Sequence, residues 1–139
     1  MEHYTEFLPI SRADMEARGW DQLDFVVVGG DAYVDHPSFG TAIISRLLEA
    51  EGYKVGVLAQ PRYTDCEDFK RFGKPKYGFF IGGGNVDSMV SHYSVAKIPR
   101  AEDEYSPGGK GGARPDRSAT VYTRLAKQAY PALPVILGG

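Results

Sequence analysis

The sequence predicts an α/β domain in three layers, with a mainly parallel four-stranded sheet between two layers of helices. Two observations support this class. Apolar runs rich in β-branched and aromatic residues alternate with segments of helical periodicity, and glycine clusters follow several of the runs. Strands that alternate with helices imply right-handed crossovers and a parallel sheet. For such a Rossmann-like or flavodoxin-like sheet we expect the strand order 2-1-3-4, with 3-2-1-4 as the alternative.

The predicted elements follow one another with short connections. The strands are predicted from apolar runs bounded by glycine or proline, at residues 25–28, 53–59, 77–81 and 134–137. The helices are predicted from apolar spacing and end signals, at residues 11–18, 37–52, 66–72, 85–93 and 118–130. We expect one domain over residues 1–139, with an N-terminal arm at residues 1–22. Because the fourth strand is the last element, we also expect the chain to be cut from a longer protein.

Single residues set the ends of the predicted helices. Ser11 is a good N-cap for the first helix, and Gly19 ends it. Pro37 suits the first turn of the second helix, and Asn85 is a natural N-cap for the fourth. The second helix carries an apolar stripe, the face that such a helix normally turns to the core, formed by Ile43, Ile44, Leu47 and Leu48.

Charge and cysteine content argue against several classes of function. The chain has 16 basic and 18 acidic residues and a net charge of −2, which argues against nucleic-acid binding. The single cysteine, Cys66, cannot form a disulfide framework or an all-cysteine metal site. The chain starts without a signal-peptide pattern and contains no apolar run of membrane-spanning length. We therefore expect a cytoplasmic protein without membrane contact.

Glycine clusters mark a candidate ligand crevice. In the order 2-1-3-4, Gly29-Gly30 after strand 1 and Gly82-Gly83-Gly84 before Asn85 would face each other at the carboxyl edge of the sheet. Helix N-termini at this edge favour an anionic or phosphate-bearing ligand. The alternative is that these glycines only let strands turn into helices. Neither cluster completes a dinucleotide-binding or Walker A pattern.

The loop after strand 1 adds three polar candidates to this crevice. Asp31, Asp35 and His36 could serve acid–base chemistry or hold a metal. Asp35 is better explained as a helix cap, whereas structural and functional roles of His36 are balanced. The spacing of histidines, acidic residues and the cysteine indicates no metal site in this chain.

Residues 97–117 form a long glycine-rich excursion without helical or strand periodicity. Loops of this length are usually functional or disordered. The excursion carries Lys110, Arg114 and Arg117, which could dock it onto another domain or let it cover the crevice. The alternative, which we favour for the chain by itself, is a solvated flexible loop.

Seven segments resemble the N-terminal region of the YgiQ-type family of radical SAM proteins. They are FLPISR (7–12), RGW (18–20), GDAYVDHPSFG (30–40), LEAEGY (48–53), NVDSMV (85–90), YSPGGK (105–110) and RPDR (114–117). The resemblance implies a protein several times longer, with a downstream C-x-x-x-C-x-x-C motif that holds a [4Fe-4S] cluster and uses S-adenosylmethionine. Three thiolates are needed for that cluster, so Cys66 alone cannot supply the site.

The resemblance also implies a likeness to cobalamin-binding domains, which carry a histidine ligand in a D-x-H-x-x-G loop after strand 1. Here Asp35 and His36 are adjacent and Gly40 follows four residues later, which argues against axial coordination.

Three functional hypotheses remain open from the sequence. The leading one is a non-catalytic N-terminal module of a larger radical SAM enzyme, which supports or covers the catalytic domain or binds a ligand where strands 1 and 3 end. The alternative is a stand-alone carrier of cobalamin or a nucleotide. The weakest is a small hydrolase using Asp31, Asp35 and His36, because no motif supplies a nucleophile.

Overall fold

Four parallel strands form one sheet in the computed structural model, which describes residues 7–86 and 88–138. The strands are β1 (Phe25–Gly29), β2 (Val55–Ala59), β3 (Gly78–Gly82) and β4 (Val135–Gly138). The α-helices are α1 (Arg12–Ala17), α2 (Gly40–Ala50), α3 (Ser88–His92) and α4 (Ser118–Ala129). Within these described ranges, 3₁₀ turns lie at Glu67–Lys70 and Pro107–Gly109.

The strand order is β2-β1-β3-β4, and every pairing is parallel. The predicted α/β class and the order 2-1-3-4 are therefore confirmed, and the alternative order 3-2-1-4 is wrong. Because the order reverses direction beside β1, the carboxyl ends of β1 and β3 lie next to each other at the switch point of the sheet.

One face of the sheet, the covered face, carries the core of the domain. Val26 and Val28 of β1 point to this face, as do Phe79 and Ile81 of β3. Helix α4 covers them with the buried side chains Tyr122, Leu125 and Ala126. Helix α1, the first 3₁₀ turn and Phe72 complete the same cluster. The predicted helix at residues 118–130 is confirmed, with its last residue at Ala129.

The other face, the open face, is covered by α2 over β1 and β2, where Val55 and Val57 are buried. Across β3 and β4 no described helix lies on this side, and Ile136 of β4 is 47% exposed. In the part of the chain that the structure describes, the third of the predicted layers thus covers β1 and β2 but not β3 and β4.

Helix α2 differs from its prediction in start and in orientation. It begins at Gly40 rather than in a turn at Pro37, and Phe39 is its N-cap. The small residues Ala42 and Ser45 face the sheet and are buried, because they allow a close approach between helix and strands. The predicted core stripe is consequently turned outward: Ile44 is 40% exposed and Leu47 is 59% exposed.

Two other helices are shorter than predicted. Asn85 does not cap α3, which begins at Ser88; the backbone N–H of Asn85 donates instead to the Asp31 carboxylate. The helix expected at residues 66–72 is a single 3₁₀ turn. Residue 87, part of the predicted fourth helix, lies outside the described residues.

The N-terminal arm, described from residue 7 onward, lies against the outer edge of the sheet. Ser11 caps α1 as predicted, with its side chain accepting from the Asp14 N–H at 3.2 Å, and Gly19 follows with φ +76°. The Pro9 carbonyl accepts from the Val57 N–H at 2.8 Å, so the arm occupies the free edge of β2. In the described ranges no helix is both long and apolar enough to cross a membrane.

Candidate functional site

The two glycine turns of the predicted crevice meet in direct contact. They follow the adjacent strands β1 and β3, as the strand order requires. A Cβ atom added to Gly30 would lie 2.1 Å from the Gly83 carbonyl oxygen, a distance that no real side chain tolerates. These glycines therefore allow two backbone segments to touch, and no open cleft separates them.

Asp31 closes the space beside these turns. Its carboxylate is buried and accepts a hydrogen bond from the Asn85 backbone N–H at 2.7 Å. Nη1 of Arg114 lies 3.0 Å from its other oxygen. A Cβ at Gly84, whose φ is +108°, would lie 2.5 Å from that same oxygen, so only glycine fits there. Asp31 thus joins the ends of β1 and β3 to the excursion.

Arg114 is the centre of a buried ionic network. Its Nε donates to Oδ2 of Asp103 at 2.8 Å, and its Nη2 donates to Oδ1 at 3.0 Å. With Asp31 on Nη1, the guanidinium lies between two carboxylates and is 0% exposed. The prediction that Arg114 docks onto another domain needs correction, because the side chain is enclosed within this one. Lys110 and Arg117 are exposed.

The excursion is a folded loop in the structure, contrary to the solvated loop that we favoured. The Asp103 N–H donates to the Gly109 carbonyl at 2.9 Å, and Gly108 and Gly109 both adopt positive φ to make the turn. Ser106 binds the Asp103 carboxylate and accepts from Gln60 Nε2 at 2.6 Å. The loop therefore lies across the carboxyl ends of β1 and β2.

The two carboxylates around Arg114 differ in acidity. Burial raises the pKa of Asp31, and the Asn85 N–H and the Arg114 guanidinium only partly offset this. Burial also opposes ionisation of Asp103, but hydrogen bonds from Arg114, the Tyr105 N–H and Ser106 outweigh it and hold the pKa of Asp103 below its usual value. Of the two carboxylates, Asp103 is therefore the one whose ionised form is favoured beside Arg114.

Asp35 and His36 lie apart from this network. The Asp35 carboxylate forms an ion pair with Arg46 of α2, so its predicted role as a helix cap is wrong. His36 is exposed, and its Nδ1 accepts a hydrogen bond from the Ser38 N–H at 3.1 Å. The structure thus brings Asp31, but not Asp35 or His36, to the glycine turns.

The geometry of His36 does not fit axial coordination of cobalamin. In a metal-ligating histidine the other ring nitrogen normally donates a hydrogen bond to a carboxylate or carbonyl, whereas Nδ1 of His36 meets the Ser38 N–H. Asp35, the residue before it, is engaged with Arg46. Among the described residues, no group of three or more histidine, cysteine, aspartate or glutamate side chains is placed to hold a metal ion.

The open space of the site lies on the open face of the sheet, in a groove of about 310 Å³. Its floor consists of Val27, Phe80 and Ile136, one residue from each of β1, β3 and β4. Ile44 of α2 forms one wall, and the glycines of the β3 turn close the upper end beside Asp31. The groove is mostly apolar, so it suits a hydrophobic partner better than an anion. We call it the open groove.

Sequence reasoning missed both Asp103 and the open groove. Asp103 carried no local signal, because its partner Arg114 meets it only when the excursion folds back. The groove did carry a signal: Val135-Ile136-Leu137 is apolar on both faces, and a stripe of isoleucine and leucine runs along the second helix. A strand with apolar residues on both faces needs cover on both.

Comparison with known proteins gives one consistent result. The family described as Radical SAM N-terminal matches residues 7–139. A UPF0313 protein of Clostridium botulinum (strain Loch Maree / Type A3) is 59% identical over 96% of this chain and 21% of that protein. A UPF0313 protein of Clostridium perfringens (strain SM101 / Type A) is 53% identical over 97% of this chain and 20% of that protein. The chain spans about a fifth of the length of these relatives. No solved structure matches it.

The contact between the glycine turns predicts a large difference between two alanine substitutions. Gly30→Ala forces the Gly83 carbonyl away and should lower the free energy of unfolding by about 1–3 kcal/mol or more. Gly40→Ala, in the first turn of α2 with no atom near the new Cβ, should change it by about 0–1 kcal/mol in the stabilising direction. Urea unfolding of both variants measures this, and equal midpoints would contradict the contact.

Arg114→Met should lower the free energy of unfolding by about 3–5 kcal/mol, because it leaves two buried carboxylates without their cation. Lys110→Met, in the same loop but exposed, is the control and should change it by no more than about 0.5 kcal/mol. Chemical denaturation followed by circular dichroism measures both. A small effect of Arg114→Met would mean that the network does not hold the excursion.

The stability contributed by Asp103 should depend on pH. Because folding lowers the pKa of Asp103, its contribution is present above the unfolded value of about 3.8 and disappears as the pH falls through the folded value. The stability difference between the parent chain and Asp103→Asn should therefore be constant near neutral pH and shrink below about pH 4. The exposed Asp21→Asn is the control, with a small difference throughout. A deficit of Asp103→Asn that grows on acidification would contradict this.

Proposed function

Because the chain belongs to the radical SAM N-terminal family, we propose that it is a non-catalytic module that supports the downstream part of a larger radical SAM protein through its open groove. The observation that carries the proposal is the apolar floor of the groove, where Ile136 and Phe80 lie beyond the cover given by α2. Apolar sheet faces in parallel α/β proteins are normally buried.

The few reactive side chains of this chain favour a non-catalytic role. Cys66 is the only cysteine, and radical SAM chemistry needs three thiolates for its cluster. The cluster and S-adenosylmethionine therefore belong, in this proposal, to the polypeptide beyond residue 139. Asp31, the acidic residue at the glycine turns, is already bound by Arg114 and the Asn85 N–H, which favours a structural role over acid–base chemistry.

The matched relatives are about five times as long as this chain, which supports a partner for the groove within the same polypeptide. Burying a half-exposed isoleucine or leucine contributes on the order of 1 kcal/mol, and the groove offers several such side chains. An interface inside one polypeptide also avoids most of the entropy lost when separate molecules associate. Lys110 and Arg117 are exposed on the excursion and are available for polar contacts with the downstream polypeptide.

Ile136→Lys tests this proposal by its dependence on the downstream polypeptide. In the 139-residue chain the charged end of the new lysine stays in solvent, so the free energy of unfolding should fall by about 1 kcal/mol or less. In the full-length protein the lysine would be buried without a partner and should destabilise the module by about 1–3 kcal/mol more. Hydrogen exchange of the β1 and β3 amides, recorded for both chain lengths, measures the difference.

Ile10→Lys is the matched control, because Ile10 lies on the N-terminal arm and is 46% exposed, as Ile136 is 47% exposed. It should have equally small effects in both chain lengths. Equal effects of Ile136→Lys in the short and the full-length protein would contradict the proposal.

A small molecule is the second candidate for the same groove, since about 310 Å³ falls at the lower end of ligand-pocket volumes. In that case cobalamin, S-adenosylmethionine or a nucleotide added to the 139-residue chain should slow hydrogen exchange around Phe80 and Ile136. Such protection without the downstream polypeptide would favour a carrier over a supporting module.

A further inference from the structure

We infer that the open groove is filled by one α-helix from the polypeptide downstream of residue 139, lying beside α2 across β3 and β4. This inference rests on the proposed function. It adds which kind of downstream segment covers the groove. Three features support it. The uncovered part of the sheet is two strands wide, the floor of the groove is apolar, and crossovers between parallel strands are right-handed.

The floor of the groove is a straight row of side chains. Val27 pairs with Phe80, and Phe80 pairs with Ile136, so the three are direct neighbours on adjacent strands. Phe80 also packs on Phe25, with ring centroids 5.0 Å apart. The row has no charged or hydrogen-bonding group, and whatever covers it must bring an apolar surface.

The wall of the groove has helical spacing. Gly40 and Ile44 lie four residues apart on α2, and both line the groove. Residues at this spacing form the ridge into which a neighbouring helix packs. Ile44 is 40% exposed, which is high for a large apolar residue beside an apolar floor.

The width of the groove fits one helix. Packed helices lie about 8–10 Å apart, and neighbouring strands lie about 4.8 Å apart. A second helix beside α2, which lies over β1 and β2, would therefore be centred two strands away, over β3 and β4. A loop would place unpaired peptide groups against the apolar floor, whereas a helix satisfies its own backbone hydrogen bonds.

The handedness of the crossovers restricts which helix this can be. The chain passes from β3 to β4 through α4, which lies on the covered face. A helix leading from β4 to a further parallel strand in the same direction would lie on the covered face too, because parallel crossovers are right-handed. The helix in the open groove is therefore not one that leads to a further strand beyond β4.

Photo-cross-linking in the full-length protein tests the inference. Benzoylphenylalanine is introduced at Ile44, at Ile136 and, as a second floor position, at Phe80. Ile10 serves as the control, with nearly the same exposure as Ile136. After irradiation, peptide mass spectrometry identifies the partners. We expect all three groove positions to cross-link within one molecule to a single downstream segment, at residues three or four apart, and Ile10 not to reach that segment.

The cross-linking results test two claims separately: that a single helix fills the groove, and that the module supports the downstream polypeptide. Cross-links to downstream residues without helical spacing would overturn the single helix but leave the supporting role intact. Cross-links between two molecules would show that a second copy covers the groove, and would overturn both. Absence of downstream cross-links from all three positions would also overturn both.

Discussion

Each strand of a parallel sheet carries apolar side chains on both faces, so the sheet is stable only when both faces are covered. In this chain α4, α1 and a 3₁₀ turn cover one face, whereas α2 covers only β1 and β2 on the other. Phe80 and Ile136 lie beyond that cover. This unequal cover connects the fold to the proposed function, because it leaves an apolar surface for another part of the polypeptide.

The ionic network around Arg114 leaves the proposed functional surface on the sheet face, beside the switch point. In open parallel sheets ligands usually bind where adjacent strands diverge, at their carboxyl ends. Here the glycine turns of β1 and β3 touch there, and the excursion places Arg114 between Asp31 and Asp103. The usual ligand position is thus filled by the chain itself, and the space that remains open is apolar.

The sequence was sufficient for the sheet and its order but not for the site. Alternating strand and helix signals predict the parallel sheet and the position of α4 between β3 and β4. Helical periodicity also identified the apolar stripe that contains Ile44 and Leu47. Periodicity shows that a helix face is apolar, but it does not show which surface covers that face. Burial of Arg114 could not be predicted, because its two carboxylates come from distant segments and a glycine-rich loop has no periodicity to indicate its path.

The most direct measurement of the central claim is the solvent exposure of isoleucine methyl groups in the 139-residue chain and in the full-length protein. A soluble paramagnetic probe broadens methyl resonances in proportion to their exposure. We expect the methyl resonances of Ile44 and Ile136 to be broadened in the short chain and protected in the full-length protein, and those of Ile10 to be the same in both. Equal broadening of Ile44 and Ile136 in the two proteins would contradict it, because the groove would then stay open to solvent.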